Sequence, residues 1–178
     1  MRPASGGRAI SPRRVPPLPD AITLTPWSAA DHDLLLAING DPVQMAQVGG
    51  AETAEKIADR NAKYALDPNQ LKIAVDGEPA GWVGVWVREW RGEQVWEIGW
   101  SVLRAFQGRG VAKRAARGAI EHARAIEDAP RALHAFPNVD NAPSNGVCRA
   151  LGFTLLGETT FEYPPGHFDT VNDWRLEL

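Results

Sequence analysis

Two runs of alternating residues, AGWVGVWVREW (residues 80–90) and EQVWEIGWSVL (residues 93–103), flank the dipeptide Arg91-Gly92. Alternation with period two sends successive side chains to opposite faces of a strand, and a two-residue loop containing glycine closes a hairpin. With Arg91 and Gly92 as the loop, the register places Val83 opposite Trp100, Val85 opposite Ile98 and Val87 opposite Trp96, a face expected to be core. The other face sets Trp82, Gly84, Trp86 and Trp90 beside Ser101, Gly99, Glu97 and Glu93. Glu97 is thus expected among indoles and positions without side chains.

The rest of the chain builds around this hairpin. LKIAV (residues 71–75) with a turn at Asp76 and Gly77 supplies a strand before it, and Ala21 to Thr25 a short first strand. Between them, Ser28 caps a helix that ends at Asn39 and Gly40, and an amphipathic helix runs from about Glu52 to Leu66, ahead of the breaker Asp67, Pro68, Asn69. After the hairpin a helix from about Gly110 to Ile126 carries Ala112, Ala115, Ala116, Ala119, Ala123 and Ile126 at helical spacing. A stripe this small allows close approach to a sheet. Arg131 to Phe136 reads as a strand, and NAPSNGVCRALGF as a short helix with Asn141 near its cap, Pro143 in its first turn and Gly152 beyond its end. Phe153 to Glu162 and Val171 to Leu178 close the fold, which is mixed α/β with a mostly antiparallel central sheet.

A length of 178 residues suits one domain. The first twenty residues hold five prolines and four arginines without an apolar run. Residues 1–20 are therefore expected to be a flexible tail ahead of a domain at 21–178, with Arg13 and Arg14 solvated rather than part of a targeting signal. A net charge of −3 argues against a nucleic-acid partner, so any anion site must be local. Cys148 is the single cysteine, which excludes an intrachain disulfide and a cysteine metal cluster; no metal is expected, and a reducing, cytoplasmic setting fits. No segment approaches the ~20 apolar residues of a membrane span, so no membrane partner is expected.

RAFQGRGVAKRAARG (residues 104–118) joins the hairpin to the alanine-striped helix. Lys113 and Arg114 fall in the first turn of that helix, where the macrodipole disfavours cations. An anion bound there would repay them. Gly108 and Gly110 allow backbone N–H groups to approach a pyrophosphate, and Arg109, Lys113 and Arg114 favour its charge. A phosphate-binding P-loop needs lysine and a hydroxyl residue after the second glycine, where Val111 and Ala112 stand. A dinucleotide fingerprint needs a third glycine where Lys113 stands, after a strand of a parallel βαβ unit. A plain strand-to-helix turn with a solvated basic face is the structural alternative.

Gln107, Gly110 and Ala112 match the acyl-CoA signature of glutamine or arginine, two residues, glycine, one residue, glycine or alanine. Asn141, Ser144, Val147, Leu151, Gly152 and Phe153 resemble the later motif of the GNAT superfamily of acetyl-CoA-dependent N-acetyltransferases. EIGW, FEYPPGHF and DWRLEL resemble its RimJ/RimL-type branch. The resemblance covers about Ala21 to the C-terminus and implies the acyl-CoA N-acyltransferase fold, acetyl-CoA as co-substrate, and transfer of acetyl to a primary amine of a small molecule or a protein N-terminus.

It further implies that the strand ending at Val102 splays from its neighbour, so that backbone around Ser101 and Val102 pairs with pantetheine. An N–H there would polarise the thioester carbonyl, a contribution of ~3 kcal/mol. Gln107, Gly108, Arg109, Gly110, Val111, Ala112 and Lys113 would hold the diphosphate, and Asn141 and Ser144 the CoA arm, alongside or instead of capping the helix. Glu97 is the candidate base, desolvated by Trp82 and Trp86, or a hydrogen-bonded strand carboxylate. Cys148 occupies the place where many relatives carry a tyrosine as acid; Tyr163 or His167 would substitute, and Cys148 itself reads as a buried inert thiol. The acceptor pocket would lie among residues 28–66 and 159–170, with Trp86, Trp90 and His167 beside the amine. Asp31, Asp33, Glu52, Glu55 and Asp59 would attract a cationic substrate or form solvated helix faces. The rival reading is a non-catalytic acyl-CoA-binding module, with a dinucleotide oxidoreductase third. A tryptophan-rich surface is compatible with one subunit or a homodimer.

Overall fold

The computed structural model describes residues 21–127 and 130–178; the tail expected at residues 1–20 lies outside the described residues. Strands β1 (Ile22–Pro26), β2 (Gln70–Val75), β3 (Glu78–Trp90), β4 (Glu93–Val102), β5 (Ala132–Ala135), β6 (Thr154–Glu162) and β7 (Phe168–Glu177) form one sheet in the order β1-β2-β3-β4-β5-β7-β6. Every neighbouring pair is antiparallel except β4 and β5, which run parallel. Helices α1 (His32–Asn39), α2 (Ala54–Tyr64), α3 (Val111–Arg124) and α4 (Ala142–Ala150) flank it. The expected mixed α/β class and mostly antiparallel sheet are what is found.

The Arg91-Gly92 turn sets the register that the alternation demands, with Val83 opposite Trp100, Val85 opposite Ile98 and Trp86 opposite Glu97. Both loop residues take positive φ, as the tight turn requires. Val83 and Val85 are fully buried, but Val87 is 48% exposed. The cover on that face reaches Val85 and leaves Val87 at the rim near the hairpin tip, which corrects the expectation that it is core.

Two element starts also differ. Ser28 caps a 3-10 turn, Ala29–Asp31, and α1 begins only at His32. Asp31 accepts from both the backbone and the hydroxyl of Ser28, at 2.9 and 2.8 Å, and this local ring holds the tight turn. β7 begins at Phe168, three residues earlier than expected, because a turn bonded from Tyr163 N to His167 O (2.8 Å) pairs it with β6 at once.

On α3, Ala115, Ala116, Ala119 and Ala123 are fully buried against the sheet. The helix lies so close to β1 that a Cβ on Gly118 would stand 2.6 Å from Leu24 Cδ1. The small stripe therefore anchors the helix N-terminus against the ends of the central strands. Ala119→Leu is expected to overpack this contact and lower stability by about 1–3 kcal/mol, read as a lower urea midpoint with unchanged m.

Candidate active site

The ladder between β4 and β5 consists of two pairs, Trp96 with Leu133 and Glu97 with His134. β5 stops at Ala135, and Phe136-Pro137 follows; a proline has no N–H to continue a ladder, and the chain turns away toward α4. Beyond Glu97 the strands separate around a cavity of about 690 Å³, which Ile98 to Val102 line from one side and Pro137, Asn138 and Asn141 from the other. Val102 O accepts from the side chains of Gln107 (2.8 Å) and Gln44 (3.2 Å), and Gln44 also donates to Ser101 Oγ at 2.7 Å. Gln44 was invisible to sequence reasoning, since it comes from the turn after α1.

The loop after β4 makes a 3-10 turn, Arg104–Phe106, then enters α3 through Gly108 and Gly110, with φ of 74° and 72°. These left-handed values favour glycine. Among the described residues, the N–H groups of Gly108, Gly110, Val111, Ala112 and Lys113 donate to no protein acceptor, and open space lies where a Cβ of Gly108 or Gly110 would be. Gln107 and Ala112 line the cavity, with the glycines between them in the chain. Val111 is buried in the core, so only its backbone is available. Arg109 lies over the Phe106 ring at 5.4 Å, Lys113 is exposed, and Arg114 reaches back to Arg109 O at 3.2 Å. A free helix N-terminus beside open space, with guanidinium groups next to it, is an arrangement that can accept an anion. Asn141 Oδ1 accepts from Ser144 N at 3.1 Å, so the pair caps α4 while both residues line the same cavity.

Glu97 lines the cavity floor and is 8% exposed. Trp86 Nε1 donates to its Oε2 at 3.1 Å, and Arg88 Nε donates to the same oxygen. Oε1 has no protein partner. Trp96 Nε1 is the one side-chain polar atom among the described residues that is both sealed and unpartnered, so Oε1 opens onto the cavity. Burial pushes the Glu97 carboxyl above the usual glutamate range, against the opposing pull of Arg88 and Trp86. Arg88 is the partner that sequence reading missed. It stands opposite Val95, which makes Glu97 its diagonal neighbour on one face, within reach of a long side chain.

Tyr163 lines the cavity, and its hydroxyl accepts from Arg60 Nη2 at 3.0 Å. Arg60 is a second unforeseen member: it also pairs with Glu52, to which Asn39 Nδ2 donates at 2.8 Å. Burial alone would raise the Glu52 carboxyl, but Arg60 and Asn39 outweigh it and hold the group below its ordinary value. Trp86 lines the cavity. Trp90 and His167 do not: Trp90 donates to buried Asp173 at 3.0 Å and rests on Phe136 and Phe161, while His167 is exposed on the β6–β7 turn beside Asp169. Asp173 also meets His134 Nδ1 at 2.6 Å. No group of three or more metal-ligating side chains occurs among the described residues, and no described helix is long and apolar enough to cross a membrane.

Residues 21–154 match the family model described as acetyltransferase (GNAT) domain. No curated protein matches the chain significantly. Several solved structures share the fold. One is an acetyltransferase from Salmonella typhimurium described as modifying the N-terminal serine of a 50S ribosomal subunit protein: 19% identity, TM-score 0.72, 88% of this chain and 95% of that one covered. A second is an aminoglycoside acetyltransferase in complex with coenzyme A: 17% identity, TM-score 0.73, 88% and 95% covered. A third is a microcin self-immunity acetyltransferase in complex with acetyl-CoA and AMP: 20% identity, TM-score 0.72, 88% and 92% covered. At such identities the likeness is one of fold.

Cys148 is fully buried in the core, and burial pushes its thiol up to about 12. The folded protein is expected to resist iodoacetamide at about pH 8 and to take up one equivalent only once denatured, read by intact mass.

Proposed function

The chain belongs to the acetyltransferase (GNAT) domain family and is an acyltransferase enzyme, and from that premise we propose that it moves acetyl from acetyl-CoA directly to a primary amine of a small molecule or a protein N-terminus. Residues 21–178 are read as the transferase domain of a cytoplasmic enzyme of RimJ/RimL type. The observation that carries the reading is the row of unpartnered amides at Gly108 and Gly110 to Lys113, facing open space at the N-terminus of α3.

The residues present fit acetyl-CoA. The diphosphate finds the free helix N-terminus, the pantetheine arm finds the edge of Ile98 to Ser101 that faces away from β3, and Asn141 and Ser144 border the same cavity. Bound there, acetyl-CoA supplies an activated thioester. Glu97 Oε1 faces the cavity and takes a proton from the ammonium form of the acceptor, directly or through water, while Arg88 and Trp86 pin Oε2 and set the carboxylate's direction. The amine nitrogen then forms the amide as the carbon–sulfur bond breaks. A β4 amide polarises the carbonyl, and Tyr163 is the candidate donor to the departing sulfur: accepting from Arg60 leaves its own O–H free to donate. The sulfur otherwise departs as a thiolate, which tolerates leaving unprotonated because an ordinary thiol pKa is about 8.5.

One observation favours a second reading. Cys148, at the usual place of the acid, is sealed in the core, which suits an acyl-CoA-binding module without turnover. Release of free CoA thiol on mixing acetyl-CoA with an amine panel decides: a rise in Tm with acetyl-CoA and no thiol release from any amine selects the binding module.

Gly110→Glu places a carboxylate in open space beside the anion site at a strained φ, and is expected to abolish the rise in Tm caused by acetyl-CoA. Glu97→Gln is expected to keep that rise and lose about a hundredfold in kcat/KM. Because the base acts ionised and its carboxyl sits above the ordinary value, the wild-type rate falls as pH drops through a point above the usual glutamate range. The Gln variant lacks that acidic limb, and a pH profile that retains it removes Glu97 as base.

A further inference from the structure

The charges around the cleft disfavour one large group of amines. Of the acidic residues on the first two helical segments, Asp31 is bonded to Lys72 (2.7 Å) and Ser28, and Glu52 to Arg60 and Asn39. Asp33, Glu55 and Asp59 point to solvent away from the cleft. Of the carboxylates that do line it, Asp67 accepts from Asn69 N (2.9 Å) and Gln70 Nε2 (2.8 Å), and Asp169 stands 3.0 Å from His167. Arg60, Lys63 and Arg104 line the same walls and equal Asp67, Glu97 and Asp169 in number, with Arg60 paired to Glu52 and Arg104 3.7 Å from Asp41. Such a cleft interleaves its carboxylates with cations instead of clustering them for a polyamine or an aminoglycoside, and on its buried floor the open carboxylate oxygen is Glu97 Oε1.

It also offers aromatic rings on either side of that oxygen. Tyr64, Trp82 and Trp86 form a continuous row, with ring centroids 5.2 Å apart at 10° and 6.2 Å apart at 21°. The indole nitrogens are spent on the protein, Trp82 on Gln70 at 3.0 Å and Trp86 on Glu97 at 3.1 Å. Across the cleft, Phe136 and Phe161 lie 4.8 Å apart at 28°, with the Arg88 guanidinium 4.5 Å over the Phe161 ring. Trp82 and Trp86 stand on β3, Glu97 on β4, and Phe136 just past β5, so the carboxylate lies between two aromatic walls.

Resting on the acetyl-transfer reading, we infer that the acceptor is a monoamine whose amino group sits within a few bonds of an aromatic ring, the ring held between the Trp82–Trp86 and Phe136–Phe161 walls and the nitrogen at Glu97. A free arylalkylamine and a peptide beginning with an aromatic residue share this chemistry.

The wild-type protein saturated with CoA is titrated by calorimetry with tryptamine, a tryptophan-initiated dipeptide amide, hexylamine, spermidine and kanamycin, and the same amines are assayed for acetyl transfer. Tryptamine or the dipeptide is expected to exceed spermidine, kanamycin and hexylamine by about tenfold or more in affinity and in kcat/KM, and which of the two leads identifies the source. Trp82→Leu is expected to raise the tryptamine KM about tenfold while acetyl-CoA still raises Tm, and Trp82→Phe to recover part of the loss. Preference for spermidine, kanamycin or hexylamine, or wild-type tryptamine binding in both Trp82 variants, overturns the inference while leaving acetyl transfer standing. Absence of thiol release with every amine overturns acetyl transfer instead, and the calorimetric ranking still decides the acceptor class.

Discussion

The site depends on a parallel ladder that stops after two residue pairs. Backbone N–H and C=O groups are obligatory hydrogen-bonding groups, and leaving them unpaired out of water is costly. β4 runs on for five residues past its last pairing with β5, still paired to β3 on its other edge, so the groups on the β5 side must be satisfied by something other than a strand. Two glutamine side chains, Gln44 and Gln107, converge on Val102 O. The remainder opens on a cavity, where a ligand with an alternating amide chain can complete what β5 abandons. Pro137 makes the gap permanent, and the alanine face of α3 makes it precise in position, because a helix seated that closely fixes where its own N-terminus meets the opening.

At the floor of the gap, burial and pairing oppose one another on Glu97. Removing a carboxylate from water favours its protonated form, and a guanidinium beside it favours the ionised one. Burial wins on balance, yet Arg88 stays bonded, and both protein bonds fall on a single oxygen. The group is thereby fixed in direction while its second oxygen remains available. A few ångströms along the sheet the opposite solution is found: Asp173, with no exposure, takes bonds from His134 and Trp90 and serves to join β5, β7 and the hairpin. Two buried carboxylates on one face thus divide into a half-open one and a closed one.

The hairpin's register was legible, because a two-residue loop leaves no freedom of register and alternation names the faces. The alanine stripe, the glycine loop and the Asn141 cap were legible for the same kind of reason: each is a local pattern whose geometry follows from spacing. Arg88 beside Glu97 was derivable from that register as a diagonal pair, and attention to long side chains two places along the opposite strand would have found it. Val87 misled because a face pattern says which way a side chain points and not how far the covering helix extends. Arg60 with Tyr163, and Gln44 with Ser101, join segments 103 and 57 residues apart; no local signal encodes such pairs. Trp90 was placed on the correct face, but aromatic rings and a buried aspartate hold it away from the cleft.

The two glycines in mid-hairpin explain why the cleft wall is flat. Gly84 and Gly99 face each other across β3 and β4, and each costs about 0.5–1 kcal/mol relative to alanine within a strand. A Cβ on Gly99 would come within 2.9 Å of Trp86 Cη2 and 3.2 Å of Trp82 Cη2, and one on Gly84 within 3.0 Å of Trp82 Cζ2. The space that sequence reading took for gaps beside Glu97 is therefore filled by the indoles themselves, which lie down over the paired glycines instead of standing off the sheet. Burying indole edges there returns roughly 25 cal/mol for each Å² removed from water. The strand loses side chains at its centre and gains a continuous aromatic platform that leads to one carboxylate oxygen.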